Sequence, residues 1–291
     1  MRIGAHVSTA GGLANAVARG TELGCEAIQI FNQSPRKWRP TDYGADDFAE
    51  FREAFADSDL EAVAIHAIYL INCATKDRDI RRKSMISLTQ ALRVGDGVDA
   101  IGVVLHAGAR KGEPHDPSMK RAGKAIAEAL ARSGSCPLLL ENTAGTQGPL
   151  GRNIDELAAL IELGGGDGRL GICVDCCHLL ASGFEIRDPE QLGVVIDELD
   201  AKVGLDRLRC LHVNDSAIPL GGNRDKHAVI GKGELANKGV STFLSEPRFD
   251  GLPALIETGV GQGGAPARED VRKAKRLRRE GLKRRARGRG R

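Results

Sequence analysis

The sequence predicts a single (β/α)8 TIM barrel of class α/β, and three observations predict it. Eight short apolar runs are bounded by turn residues, each is followed by a segment with helical character, and the runs start roughly 25 to 45 residues apart, as eight βα units require. The runs are continuous more than alternating, which marks strands buried on both faces, the usual state of a parallel sheet. In order they cover residues 3–7, 27–31, 62–67, 102–107, 137–142, 170–175, 208–214 and 254–258. Among the intervening helices, residues 153–163 place Ile154, Leu157, Leu160 and Ile161 on one face. Further on, Asp188, Pro189 and Gln191 supply a cap, a first-turn proline and a capping-box partner. A doubly wound open sheet is the main alternative. With no internal repeat and no Pro/Ser linker, residues 1–282 read as one domain, and residues 283–291 as a basic, disordered tail.

Composition narrows the class. The chain has 291 residues, 41% apolar and 28% charged, with seven Phe, two Tyr and one Trp, so its core is aliphatic and disordered or fibrous classes are excluded. No apolar stretch approaches the roughly 18 residues of a membrane span, and residues 1–10 lack the apolar segment of a secretory signal. This predicts an intracellular, cytoplasmic protein with no membrane partner. Seven cysteines, an odd number at uneven spacing, read as reduced thiols. The run Cys173, Cys176, Cys177 has no second pair to complete a thiolate metal site, so these read as buried fillers. The net charge of +3 hides an asymmetry: residues 266–291 hold 13 Lys/Arg against 3 Asp/Glu. Such a tail fits a polyanion such as nucleic acid, or simply a solvated helix end.

In a barrel the active site lies at the C-terminal ends of the strands. The third to eighth runs carry His66, His106, Glu141, Asp175, His212 and Glu257 at those ends. His178 follows Asp175 by three residues, and Asp225 and His227 lie after the seventh run. Singly, each would read as a hydrogen-bonded structural residue or a helix cap. Together, nine imidazole and carboxylate side chains converging on one mouth are too costly to bury unpaired, and they are the donors that zinc accepts. Nine exceed the three or four that one zinc uses, so more than one ion is expected. A site of several ions points to phosphoester chemistry.

The stretches GAHVSTAGG (residues 4–12), HAIYLIN (66–72), LENTAGTQG (140–148), VDCCHLLASG (174–183), LHVNDS (211–216), GGNRDKH (221–227) and LIET (255–258) resemble endonuclease IV, a zinc-dependent apurinic/apyrimidinic endonuclease family with a TIM-barrel fold. The resemblance covers about residues 1–260 in order. It implies three zinc ions. His66 and His106 would hold the first, Glu141 would bridge it to a second held by Asp175, His212 and Glu257, and His178, Asp225 and His227 would hold the third. The implied activity is hydrolysis of the phosphodiester 5′ to an abasic site in duplex DNA, leaving a 3′ hydroxyl, together with trimming of blocked 3′ ends. A hydroxide between the first two ions would attack phosphorus in line, oriented by Glu141 or a neighbouring carboxylate such as Glu257. An abasic nucleotide leaves the stack more cheaply than an intact one. Arg36 and Trp38 in FNQSPRKW, with Tyr69 and Leu70, are the expected wedge and DNA contacts. The enzyme is expected to act as a monomer.

Some positions depart from the family pattern. Ile68 and Ala107 stand where the family often has proline, which removes two rigid positions from those loops, and Lys226 stands where it usually has arginine. His6 matches the family but reads as a supporting residue. His115 reads as a surface residue, and GGGDG (164–168) lacks the Lys and Ser/Thr of a phosphate loop. A metal-dependent sugar isomerase or epimerase on the same barrel is the rival enzyme reading. From another class, a nucleic-acid-binding protein with an inactive barrel also competes.

Overall fold

A computed structural model describes residues 1–289. Eight parallel strands close into a barrel: β1 (Arg2–His6), β2 (Ala27–Phe31), β3 (Ala62–His66), β4 (Val103–Leu105), β5 (Leu138–Glu141), β6 (Leu170–Asp175), β7 (Leu208–His212) and, after a small outer ribbon of β8 (Asp215–Ser216) and β9 (His227–Ala228), β10 (Pro253–Ile256). Around the barrel the order is β1-β10-β7-β6-β5-β4-β3-β2. The helices α1 (Ala14–Leu23), α2 (Ala45–Ala56), α3 (Arg78–Gly97), α4 (His115–Ala131), α5 (Ile154–Leu163), α6 (Cys176–Ala181), α7 (Pro189–Lys202), α8 (Ala236–Leu244) and α9 (Arg268–Arg289) complete the element order. All eight expected runs are barrel strands, so the predicted fold holds and the open sheet falls away. Among the described residues no helix is long and apolar enough to cross a membrane.

The strands feed two apolar layers, β1 only the outer one. The larger core packs the outward side chains against the helices, with Phe51, Phe243 and Phe249 among its fully buried members. The barrel interior holds a smaller cluster of Ala27, Ala62, Ala64, Val104, Leu139, Cys173, Cys210 and Leu255. Small side chains suit it because the strands approach closely: a Cβ on Gly4 would sit 1.7 Å from the Ala27 carbonyl oxygen. All seven cysteines are buried and free.

The C-terminal segment differs from its expectation. Helix α9 crosses the boundary placed at residue 282 and continues to Arg289 where a disordered tail was expected, while residues 290 and 291 of that tail lie outside the described residues. The reason is tertiary. Arg284 donates to Ser241 Oγ, and Arg285 reaches Glu246 Oε2 at 3.1 Å and Ser245 Oγ at 3.2 Å, which staples the last turns to α8 and the turn after it.

Candidate functional site

The chain places its nine predicted ligand residues by a repeated device: an apolar strand that ends in a polar side chain. His66, Glu141, Asp175 and His212 are the last residues of β3, β5, β6 and β7, and His106 and Glu257 follow β4 and β10 directly. Asp175 also caps α6, since its Oδ1 accepts from the His178 backbone N–H at 2.8 Å, and this fixes His178 one turn into the helix. The β8–β9 ribbon carries His227 and brings Asp225 inward. Its base is pinned by Asp215, whose carboxylate accepts from the backbone of Ser216, Gly231, Gly233 and Leu235 at 2.8 to 3.0 Å.

All nine side chains meet at one mouth. Glu141 is the hub: Oε1 lies 3.0 Å from His212 Nδ1, and Oε2 lies 3.0 Å from His106 Nε2 and 3.4 Å from His66 Nε2. Asp225 Oδ1 lies 3.2 Å from His178 Nε2 and 3.4 Å from His227 Nε2. His66, His106 and Glu141 form one compact donor set, His178, Asp225 and His227 another, and His66, His212 and Glu257 a third. An open cavity of about 360 Å³ sits above them, lined by His66, His106, His178 and His227 with Tyr69, Asp225, Lys226, Glu257 and Thr258.

The outer hydrogen bonds decide which nitrogen each ring offers. His66 Nδ1 lies 2.6 Å from the Ala67 carbonyl oxygen, His178 Nδ1 lies 2.9 Å from that of Asn142, and His212 Nε2 lies 2.8 Å from Gln29 Oε1. Each acceptor holds a ring proton on the outside, so the opposite nitrogen faces the mouth. Glu141 Oε2, His178 Nε2 and His227 Nε2 are buried without a hydrogen-bond partner, because their close approaches lack hydrogen-bond geometry. Leaving such an atom unsatisfied costs about 1 to 3 kcal/mol. Such atoms in two neighbouring donor sets of one mouth fit cations, and the donor set of imidazole and carboxylate fits zinc.

Electrostatics agree with a cationic occupant. Burial opposes ionisation of Glu141, yet His212 and His106 outweigh it and hold its carboxyl well below the usual range. Glu257 is likewise held at about 2 by His212 and His66 against burial, and Asp225 at about 2 by His178. Burial also opposes charging of His178 and His212, but the facing carboxylates raise both well above the ordinary histidine value. Four carboxylates gathered in so little volume demand positive charge between them. His6 is different: burial drives it down to about 4, so it is neutral near pH 7.

The predicted DNA contacts are placed less uniformly. Tyr69 is 58% exposed at the mouth, its ring 5.2 Å from that of His66. Arg36 is exposed on the loop after β2, whereas Trp38 and Leu70 pack half-buried against the main core. His115 opens α4 and pairs with Asp116 and Glu156. Three buried amides escaped the sequence reading. Gln29 touches His212 and Glu257, Asn142 exchanges bonds with the Asp175 backbone, and Asn214 Nδ2 donates to Asp175 Oδ2 at 2.8 Å and Glu257 Oε2 at 3.0 Å. The only signal for Gln29 is a lone amide inside the apolar run AIQIF.

Comparison with known proteins follows the same lines. Residues 17–280 match the family model described as xylose isomerase-like TIM barrel. A protein named "Probable endonuclease 4" from Chloroflexus aggregans is 37% identical over 272 residues, covering 93% of this chain and 95% of that protein. The crystal structure of endonuclease IV from Thermus thermophilus superposes with a TM-score of 0.83 at 34% identity, covering 97% of this chain and 99% of that one. A D-tagatose 3-epimerase-like protein superposes with a TM-score of 0.71 at 18% identity, which shows a shared barrel and nothing more. With identity above 30% along nearly its whole length, the chain belongs to the endonuclease IV family of TIM-barrel proteins.

Proposed function

We propose that this protein is an intracellular, monomeric DNA repair enzyme that hydrolyses the phosphodiester 5′ to abasic sites in duplex DNA, leaves a 3′ hydroxyl, and trims blocked 3′ ends. The observation that carries the reading is the nine-residue mouth with its three unpartnered buried atoms. Its donors suit three zinc ions: His66 and His106 for one, Asp175, His212 and Glu257 for a second, with Glu141 between them, and His178, Asp225 and His227 for a third. Bound zinc would supply Lewis acidity, activating water and offsetting phosphate charge. The chain's own residues do the rest. Glu141 and Glu257 accept and orient the proton of the attacking water, with carboxylates kept ionised by the imidazoles around them. Lys226, in the wall of the cavity, and Arg36, on the loop after β2, bind phosphate oxygens.

The test is incision of an end-labelled duplex carrying one tetrahydrofuran abasic analogue, with no added magnesium and with the protein's metal content recorded. A 3′ hydroxyl product is expected. Fully metallated protein that leaves the duplex intact would sink the reading and make sugar epimerisation the next assay.

Tyr69 and Leu70, with Trp38, are proposed to fill the gap left by the missing base. Tyr69→Ala is expected to raise KM for abasic duplex about 10-fold with kcat nearly unchanged, the size of one stacking interaction. An unaltered KM would remove Tyr69 from the interface.

The basic C-terminus is proposed to add sequence-independent affinity. Arg284 and Arg285 are engaged by α8 and its following turn, so the informative truncation removes residues 286–291, with Arg287, Arg289 and Arg291, and spares both anchors. The slope of log K against log salt is expected to shrink by about 0.9 for each phosphate that the shortened chain no longer neutralises. An identical slope would refute a role for this end.

A further inference from the structure

Gln29 is a polar residue at the centre of an apolar strand, fully buried, and its amide touches three groups at the mouth. Nε2 lies 2.8 Å from Glu257 Oε1 and 3.2 Å from His6 Nδ1, and Oε1 lies 2.8 Å from His212 Nε2. These contacts admit one arrangement of protons. An ionised carboxylate only accepts, so the amide NH2 faces Glu257 and the carbonyl faces His212. A carbonyl also only accepts, so His212 carries a proton on Nε2. Its other nitrogen, Nδ1, is thereby reserved for the mouth, 3.0 Å from Glu141 Oε1 and 3.6 Å from Glu257 Oε2. The second amide hydrogen reaches His6 Nδ1, which must accept it, so His6 acts as a fixed stop for the amide.

The placement in the barrel gives this amide its leverage. His212 ends β7 and Glu257 follows β10, neighbouring strands, while Gln29 comes from β2, separated from β10 by β1. One side chain therefore crosses the barrel and fixes two ligand residues from two other strands at once. It does not line the cavity where substrate would sit.

We propose that Gln29 is a positioning residue for the ion that Asp175, His212 and Glu257 would hold, setting the His212 tautomer and the Glu257 carboxylate orientation together. The proposal rests on the metal reading of the mouth. It predicts that losing the amide releases one ion selectively and lowers turnover without weakening DNA binding.

The test uses the full chain, zinc-loaded and desalted, as wild type, Gln29→Met and Gln29→Glu. Zinc per chain is counted by elemental analysis across a chelator titration. Wild type is expected to retain three equivalents. Gln29→Met, of similar size but unable to make either bond, is expected to release one equivalent at roughly 10- to 100-fold lower chelator concentration while keeping two, the usual cost of removing an outer partner. Its kcat should fall with KM unchanged. Gln29→Glu restores the acceptor for His212 but sets a carboxylate against Glu257, and is expected to fall between the two. Nitrogen-15 shifts of the His212 ring in the wild type give a readout that needs no variant: Nε2 should be the protonated nitrogen. Three tightly held equivalents and an unchanged kcat in Gln29→Met, or an Nδ1-protonated His212 in wild type, would overturn the proposal alone. Wild type that retains no zinc would overturn the metal reading and this proposal with it.

Discussion

Glu141→Gln is expected to lower single-turnover incision of an abasic duplex by about 10²- to 10³-fold, the scale on which loss of one preorganised electrostatic contact in a catalytic site is felt. The glutamine keeps the shape and removes the charge. Glu141 is within 3.4 Å of nitrogens on four histidines, at the ends of β3 and β7, on α6 and in the loop after β4, so among the described residues no other single side chain touches as much of the mouth. An amide would direct a donor at some of those rings and leave the remaining carboxylates without the partner that shares their cations. The measurement pairs incision with zinc content and a circular dichroism melt. A folded variant with metal bound and activity within 10-fold of wild type would remove Glu141 from the mechanism. A folded variant that has lost metal would place its role in holding the ions.

Metal removal should have the second largest effect. Treatment with 1,10-phenanthroline is expected to abolish incision, zinc to restore it, and magnesium to fail, because magnesium disfavours imidazole donors. Stability should fall in parallel. A site filled at a thousand times its Kd contributes about 4 kcal/mol to the folded state, and four closely packed carboxylates without their counter-ions lose mutual screening as well. The check is a pair of melts, with and without chelator. Incision that survives complete removal of zinc would refute the three-zinc proposal, and equal melting temperatures would mean that the mouth is held by its hydrogen bonds alone.

The parts of this molecule that were legible in sequence share one physical cause. A polar side chain ending an apolar run, as in AVAIH or LLLE, is visible without any knowledge of what lies opposite, and barrel closure then brings such ends together. Gln29, Asn142 and Asn214 were illegible for the converse reason: their meaning lies in partners up to 228 residues away, as Gln29 and Glu257 are. The β8–β9 ribbon is two residues wide on each side and carries no periodicity to detect. β4 also proved shorter than its apolar run, since Gly102 sits at φ 156° and His106 already belongs to the loop. The end of α9 was misread because a run of Lys and Arg has the same composition in a solvated tail as in a helix. The partners on α8 and the turn after it, Ser241, Ser245 and Glu246 among them, distinguish the two.

The seven buried thiols give the protein a set of internal clocks. Burial pushes Cys25, Cys73 and Cys136 up to about 12, Cys173 and Cys210 sit inside the barrel, and all seven thiols are buried, so an alkylating reagent meets almost no accessible sulfur in the native state. Each cysteine reacts only when its own surroundings part, and its labelling rate times that event. Cys25 follows α1, Cys136 leads into β5, and Cys210 reports rupture of the closed sheet itself. Mass spectrometry of the labelled chain would read the order in which the barrel comes apart, with no probe introduced and no residue changed.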